Sequence, residues 1–192
     1  GIDYTKEYDE IAYPRNSYDE CVDYISNELV KAAMLLEEAR GPQDIVRPTR
    51  GAALSLRSRV LLYAASPLFN GKAPAEVIAA LVDKSGKKLL SDTYDERKWA
   101  IAAAAAKDVI ELGKYQLYVA YKSEGGSSLS DPATITPPDD EGTFHSNPWP
   151  KGWQNIDPFK SYRALFDGEV SAYGNSEIIF CLLYTSPSPR DA

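Results

Sequence analysis

Apolar residues recur at the spacing of an α-helix in three parts of the chain, and this pattern predicts three helices. Their predicted ranges are about 17–40, 49–66 and 95–112. The first has Ser17 at its start and Glu20 three residues later, the spacing of a capping box in which each residue bonds the backbone of the other. Gly41 and Pro42 are expected to end this helix, because neither residue continues helical geometry well.

The second and third predicted helices carry residues that favour close packing. The second has two overlapping apolar stripes, so we expect other elements to cover it on more than one side until Pro67 ends it. The third contains a run of small side chains from Ile101 to Ala106, which allows a neighbouring helix to approach closely, and Gly113 is its expected stop. Three aromatic residues on or beside these stripes are predicted to be core residues: Tyr63, Phe69 and Trp99.

The remaining pattern is less regular. Residues 75–82 predict one short helix, and residues 115–119 alternate weakly in the manner of a strand. A long loop rich in Gly, Ser, Pro and Asp is predicted at about 119–160, and loops of that length are usually functional or disordered. The predicted fold class is mostly α, with tetratricopeptide-like helix pairs and long loop insertions, although no repeat of about 34 residues is visible.

Composition narrows the classes of function. The formal net charge of -7 argues against nucleic-acid binding, because neutralising phosphates requires clustered positive charge. No apolar run approaches the roughly 20 residues that span a bilayer. One His and two Cys leave too few ligands for a structural zinc site, so we expect no metal and no cofactor.

The two ends of the sequence suggest a piece of a longer protein. The chain starts at Gly1 without a signal sequence, so any targeting segment is expected upstream. At the other end, Cys181 to Asp191 reads CLLYTSPSPRD, which resembles a translated transposon sequencing adapter. We therefore expect residues 1–180 to form part of one domain and residues 181–192 to be a tail that is not native.

Several motifs follow one another in an order that resembles the SusD/RagB family of Bacteroidetes outer-membrane lipoproteins. The longest is RPTRGAALSLRSRVLLYAASPLFNG at 47–71. The other matching stretches are the helix pattern at 22–32, the Trp-led alanine-rich helix at 99–110, GKYQLY at 113–118, YRALF at 162–166 and NSEIIF at 175–180. Because the matches are separate and in order, the resemblance is more specific than any one motif.

The resemblance implies a SusD-like α-α superhelix that captures glycan without catalysis. It also implies a lipid anchor on the outer face of the outer membrane and partnership with a SusC-like TonB-dependent transporter. The lipoprotein signal and its anchoring cysteine are missing from this sequence, and Cys21 is not that cysteine because it lies inside a predicted helix. The expected link to a membrane is therefore only an anchor outside this stretch.

The long loop carries the residue types that glycan capture needs. Trp149 and Trp153 can stack on the C–H faces of sugars, and the restricted Pro148 and Pro150 would help to hold Trp149 outward. Hydrogen-bonding partners for sugar hydroxyls lie beside them: Asn147, Gln154, Asn155 and Asp157. Two other interpretations remain open, in which the tryptophans pack the loop onto the helices or contact the transporter.

Other functions have weaker support. The adjacent acids Asp139, Asp140 and Glu141 cannot span a sugar as a glycosidase pair must, which needs roughly 5–9.5 Å between carboxyl groups. They also lack the spacing of a helix–loop–helix calcium site. Ser66 and Ser161 have no His nearby in the sequence, and His145 is the one histidine of the chain, so no nucleophilic triad is visible. We expect no enzyme activity. The main alternative is a helical-repeat scaffold that binds a peptide or protein and no sugar.

Overall fold

The computed structural model describes residues 3–7, 13–44, 46–122, 147–152, 154–171 and 173–180. The chain forms two compact units, Gly1–Leu112 and Gly113–Ala192. Within the described ranges it contains five α-helices, one short 3-10 helix and no strands beyond two isolated bridges. The prediction of a mostly α fold is confirmed. No described helix is both long and apolar enough to cross a bilayer.

Helix α1 spans Tyr18–Leu35 and begins with the predicted capping box. The Ser17 N–H donates to Glu20 Oε2 (2.7 Å), and the Glu20 N–H donates to Ser17 Oγ (3.3 Å). These bonds satisfy two backbone donors that a helix start otherwise leaves unpaired. The helix buries Val22, Ser26 and Ala33.

The predicted end of this helix near residue 40 is wrong. Leu36 has extended geometry (ψ 145°), so the helix ends at Leu35, well before Gly41. Arg50 binds the chain at this point: its backbone N–H donates to Glu37 O (2.8 Å), and its side-chain Nε donates to Ala33 O (3.0 Å). Tertiary hydrogen bonds therefore end the helix before the glycine does.

Helix α2 spans Arg50–Ala65 and runs antiparallel to α1. The side chain of Thr49 caps it by accepting from the Ala52 N–H (3.3 Å). Arg50, at its start, bonds the last turn of α1, whereas Arg57, at its middle, bonds Ser26 at the middle of α1. Chain direction therefore reverses between the two helices.

Helix α3 is a single short stretch, Ala75–Ala80, and helix α4 spans Arg97–Glu111. The end of α4 lies beside the middle of α2, because Arg57 Nη1 donates to Asp108 Oδ2 (3.1 Å). Helix α2 is therefore packed between α1 and α4, as its two apolar stripes predicted. Small side chains supply most of the shared core: Val22, Leu61, Ala64, Ala65, Ala102 and Ala105.

Two of the three aromatic residues predicted as core are exposed. Tyr63 is 58% exposed and Trp99 is 40% exposed, so neither is a core residue within this unit. Phe69 is partly buried and stacks on Tyr18 with ring centroids 4.4 Å apart. The reason is that the alanines of α4 fit the shared core, and no described element covers the sides of the helices on which Tyr63 and Trp99 lie.

A tight clasp joins the end of α2 to the start of α4. The side chain of Asn70 is fully buried; its Nδ2 donates to the carbonyl of Asp95 (2.9 Å), and its Oδ1 accepts from the Asp95 N–H (2.9 Å). Gly71 follows with φ +72°, and a Cβ there would lie 2.2 Å from the carbonyl carbon of Thr93. Only glycine fits this position, which accounts for the Asn-Gly pair that ends the longest motif.

Two lysines bind the first turn of α1. Lys98 of α4 pairs with Asp19 (2.7 Å), and Lys87, from the turn before α4, pairs with Glu20 (2.7 Å). The Tyr18 N–H donates to Leu89 O (2.8 Å). Acidic side chains are favourable at a helix N-terminus, and here they also fix the neighbouring elements.

The second unit contains a segment without regular secondary structure, 113–122, and a short helix, α5, at Pro158–Arg163. Tyr121 and Ile156 form an antiparallel bridge. Alternate N–H groups of the segment donate to other parts of the unit: Gln116 to Ser176 O (3.1 Å), Tyr118 to Glu177 Oε1 (2.8 Å) and Ala120 to Ser161 Oγ (3.0 Å). The strand weakly predicted at 115–119 does not form: these residues have no regular secondary structure and bond mainly to loops and side chains.

Candidate functional site

The candidate loop is described at residues 147–152 and 154–157, and its own hydrogen bonds close it tightly. The Gln154 N–H donates to Asn147 O (3.0 Å), and the Trp149 N–H donates to Asn155 Oδ1 (2.8 Å). The N–H groups of Lys151 and Gly152 both donate to Pro148 O (3.0 Å each). The peptide bond between Trp149 and Pro150 is cis. The loop therefore has a defined backbone around Trp149.

Residues 120–122 bind the far end of the loop. The Lys122 N–H donates to Asn155 O (3.0 Å), and its Nζ donates to Gln154 O (3.0 Å). The Asp157 N–H donates to Ala120 O (2.8 Å). These bonds tie the loop to a part of the chain more than thirty residues earlier.

Two of the predicted site residues bind the protein itself. Asp157 caps α5, since its Oδ1 accepts from the Lys160 N–H (2.8 Å). The side-chain oxygen of Asn155 accepts a hydrogen bond from the Trp149 N–H. Both side chains are partly buried. They hold the loop in shape, which leaves less of their hydrogen-bonding capacity for a ligand.

The other predicted site residues differ in exposure. Gln154 is exposed, whereas Trp149 and Asn147 are partly buried. Part of the Trp149 residue therefore remains accessible to solvent. Trp153 lies outside the described residues, as do the acids 139–141, His145 and the tail 181–192. The structure thus brings Asn147, Trp149, Gln154 and Asn155 together in one loop. Their binding of a ligand stays a prediction.

Sequence reasoning missed an exposed aromatic row on α5 and the turn after it. Phe159, Tyr162 and Phe166 are 49%, 68% and 72% exposed, and the last two rings lie 5.1 Å apart. Phe159 and Tyr162 lie three residues apart on α5, and Phe166 lies in the turn that follows it. Ser161 and Ala164 face the interior of the unit. The aromatic residues were visible in the sequence, but YRALF at 162–166 was used there only as a family-like motif.

Charged residues flank this row and pair with each other. Arg163 Nε binds Asp167 Oδ2 (2.7 Å), and Lys160 Nζ lies 3.7 Å from Glu169 Oε1. The hydrogen bond from Arg163 lowers the pKa of Asp167, and the same bond raises the pKa of Arg163. Both groups are therefore held in their charged forms, and their charges offset each other.

Across the described part of the chain, no group of three or more His, Cys, Asp or Glu side chains is arranged to hold a metal ion. Cys21 is a free, exposed thiol in α1.

The fold and the loop define a mostly α-helical chain whose second unit, with the short helix α5, carries the candidate binding residues. No family profile and no curated protein matches the chain. It is similar to a solved protein of Bacteroides thetaiotaomicron, BT4246, with 34% identity over 61% of this chain and 21% of that one, at a TM-score of 0.52. A selenomethionine form of BT4246 matches with 38% identity over 54% of this chain and 18% of that one, at a TM-score of 0.48. The chain spans about a fifth of the length of that protein.

Proposed function

We propose that the chain belongs to a non-catalytic, glycan-binding component of a SusC/SusD-type outer-membrane nutrient-uptake system. The observation that carries this proposal is the ordered series of SusD/RagB-like motifs at 47–71, 99–110 and 113–118. The first two of these motifs form α2, the Asn70 clasp and most of α4, so they correspond to connected structural elements. Similarity to a Bacteroides protein adds support.

The expected partner and location belong to the same proposal. A SusC-like TonB-dependent transporter would receive the captured oligosaccharide, and a lipid anchor would hold the protein on the outer face of the outer membrane. Neither role needs a cofactor. A glycan-binding component needs a loop with a fixed shape that carries an aromatic side chain and an exposed amide. The described loop has both, in Trp149 and Gln154.

Affinity electrophoresis through gels that contain soluble polysaccharides tests glycan binding. We expect at least one polysaccharide to retard the chain, and Trp149→Ala to weaken binding about fivefold, because an aromatic face on a sugar contributes roughly 1 kcal/mol. Trp153→Ala tests the second tryptophan in the same gel. Tyr24→Ala is the matched control, since Tyr24 is an exposed aromatic residue of α1 in the other unit. Mobility that no polysaccharide changes would contradict the proposal.

The absence of catalysis is tested separately. Incubation of the chain with the same polysaccharides should release no reducing sugar above a protein-free blank. Release that scales with protein concentration would instead make it a glycosidase.

A second candidate is a scaffold that binds peptide or protein, and exposed apolar side chains on the helices favour it. Met34 and Leu35 at the end of α1 are 76% and 87% exposed, and Ile110 of α4 is 76% exposed. Such side chains suit the apolar face of a partner helix. Binding of an amphipathic helical peptide that Met34→Glu abolishes, together with no retardation in any polysaccharide gel, would favour this scaffold over the glycan-binding protein.

A further inference from the structure

Gln154 and Asn155 take part in two sets of hydrogen bonds. Their carbonyl oxygens both accept from Lys122: Asn155 O from its backbone N–H (3.0 Å), and Gln154 O from its Nζ (3.0 Å). In the second set, Asn155 Oδ1 accepts from the Trp149 N–H (2.8 Å), and the Gln154 N–H donates to Asn147 O (3.0 Å). These two residues therefore connect Lys122 to the backbone of Trp149.

We propose that Lys122 is a positioning residue, which holds Gln154 and Asn155 in place and thereby sets the orientation in which Trp149 meets a glycan. This inference rests on the proposed function and adds a residue to its site. Lys122 lies 32 residues before Gln154 in the chain. It acts through the loop, and the sugar contacts remain those of the loop itself.

The base of the loop is held by backbone bonds that do not need the lysine side chain. Tyr121 and Ile156 form the antiparallel bridge, and the Asp157 N–H donates to Ala120 O (2.8 Å). Ala120 and Ile156 are buried. Removal of the ammonium group should therefore leave the base of the loop folded.

The ammonium group acts one step closer to Trp149. Its bond to Gln154 O is charge-assisted, which makes it stronger than a bond between neutral groups. It restrains the peptide group between Gln154 and Asn155, whose two side chains are the exposed amide of the site and the acceptor for Trp149. Loss of this bond should disturb both of them.

A loop that is fixed before binding loses less conformational freedom when the ligand arrives. The lysine can therefore strengthen glycan binding without contacting the glycan. Its effect should depend on Trp149, because the ring is what the bonds through Asn155 hold in place.

Binding is measured by affinity electrophoresis with the polysaccharide that retards the wild-type chain most strongly. Lys122→Met keeps the backbone N–H and most of the aliphatic side chain, and we expect it to weaken binding about fivefold. Lys122→Arg restores a charged donor and should bind within about twofold of the wild type. Lys114→Met, at an exposed lysine of the same segment, is the matched control. The Tm of each variant should equal that of the wild type, because the bonds at the base of the loop remain.

A double-mutant cycle separates positioning from direct contact. If Lys122 acts through Trp149, then Lys122→Met should weaken binding by less than about twofold in a chain that already carries Trp149→Ala. The same fivefold loss in both backgrounds would mean that the lysine binds the ligand by itself, and would overturn the inference. Unchanged binding by Lys122→Met in the wild-type background would overturn it as well.

A measurement without ligand separates this inference from the proposed function. In a chain with Trp99→Phe and Trp153→Phe, Trp149 is the one tryptophan left, and its fluorescence reports on the loop. Trp149 is partly buried, so we expect Lys122→Met to increase the quenching of its emission by acrylamide, and Lys122→Arg to leave it unchanged. Equal quenching in all three chains would overturn the inference whether or not a glycan binds. Failure of every polysaccharide to retard the wild type, together with increased quenching in Lys122→Met, would overturn the proposed function and keep Lys122 as the residue that holds Trp149.

Discussion

At the scale of single residues, the turn after α2 shows why a glycine can be specific to its place. Gly71 and Gly86 both have positive φ, +72° and +83°, so an added side chain is strained at either position. They differ in their surroundings. A Cβ at Gly71 would overlap the backbone of Thr93, whereas a Cβ at Gly86 meets nothing within 4 Å.

This difference gives a matched pair of substitutions. We expect Gly86→Ala to lower the free energy of unfolding by about 1 kcal/mol, the cost of the left-handed backbone alone. Gly71→Ala should lower it by about 3 kcal/mol or more, because the backbone near Thr93 must also shift. Urea unfolding of both variants measures the difference. Equal losses in the two variants would show that the close approach at Gly71 carries no cost.

Sequence patterns predicted some residues well and others poorly, for a physical reason. The capping box of Ser17 and Glu20 was predicted because both partners lie within one turn. Tyr63 and Trp99 were predicted as core and are exposed, because a stripe shows which residues share a face but not whether another element covers it. Local bonds can be read from spacing, and the identity of distant neighbours cannot.

At the scale of elements, the start of α1 is stabilised by charge. Bonds from Lys87 and from Ser17 lower the pKa of Glu20 from 4.5 to about 2. A lowered pKa means that folding favours the carboxylate, so its contribution is complete above pH 4.5 and is lost as the pH falls toward 2.

Replacing this glutamate should make stability less dependent on pH in that window. We expect the wild type to be more stable than Glu20→Gln above pH 4.5, and the difference to shrink as the pH falls toward 2. Urea unfolding at a series of pH values measures it. In a companion NMR titration, Lys87→Met should raise the pKa of Glu20. A stability difference that stays constant over the whole window would contradict the assignment.

Arg57 connects three helices, and its loss should affect all of them. Its side chain is only 20% exposed and binds Ser26 of α1 and Asp108 of α4 (3.1 Å each). We expect Arg57→Ala to lower the free energy of unfolding by about 2 kcal/mol, since the buried Ser26 loses its donor. Arg59→Ala, an exposed position on the same helix, should change it by less than about 0.5 kcal/mol. Similar losses in chemical denaturation of the two variants would rule out the bridging role.

The early end of α1 shows that contacts with a neighbouring helix can decide where a helix ends. The sequence between Leu36 and Arg40 is compatible with a helix, and its first strong stop signal is Gly41. The chain leaves the helix earlier because the start of α2 binds Ala33 and Glu37 through Arg50. Propensity is a weak preference, and a few tertiary hydrogen bonds exceed it.

At the scale of the whole molecule, the division into two compact units predicts that the first unit folds without the second. The ion pairs and hydrogen bonds by which Arg50, Arg57, Lys87 and Lys98 hold α1, α2 and α4 have both partners before Gly113. We expect a chain of residues 1–112 to unfold cooperatively and to keep its helical circular dichroism. Arg57→Ala should destabilise that shorter chain as much as it destabilises the longer one. A gradual loss of signal without a transition would show that the first unit needs the rest of the chain.

The candidate site could be predicted only in part, and the reason is how its residues are used. Sequence identified a loop with sugar-compatible side chains, including Trp149 and Gln154. It could not show that Asp157 caps a helix or that Asn155 holds Trp149, because the first depends on where α5 begins and the second on how the loop folds back. The residue types of a loop can be read from its sequence, but the way in which the loop folds cannot.

The clasp at the end of α2 also bears on how the protein ages. In an Asn-Gly sequence, the glycine nitrogen can attack the side-chain amide carbon of the asparagine, expel ammonia and leave a ring that opens to aspartate or isoaspartate. Here the amide that would leave donates to the carbonyl of Asp95, and its oxygen accepts from the N–H of the same residue. The damage therefore requires the clasp to open first, so deamidation of Asn70 would record how often the junction between α2 and α4 comes apart over the lifetime of the molecule.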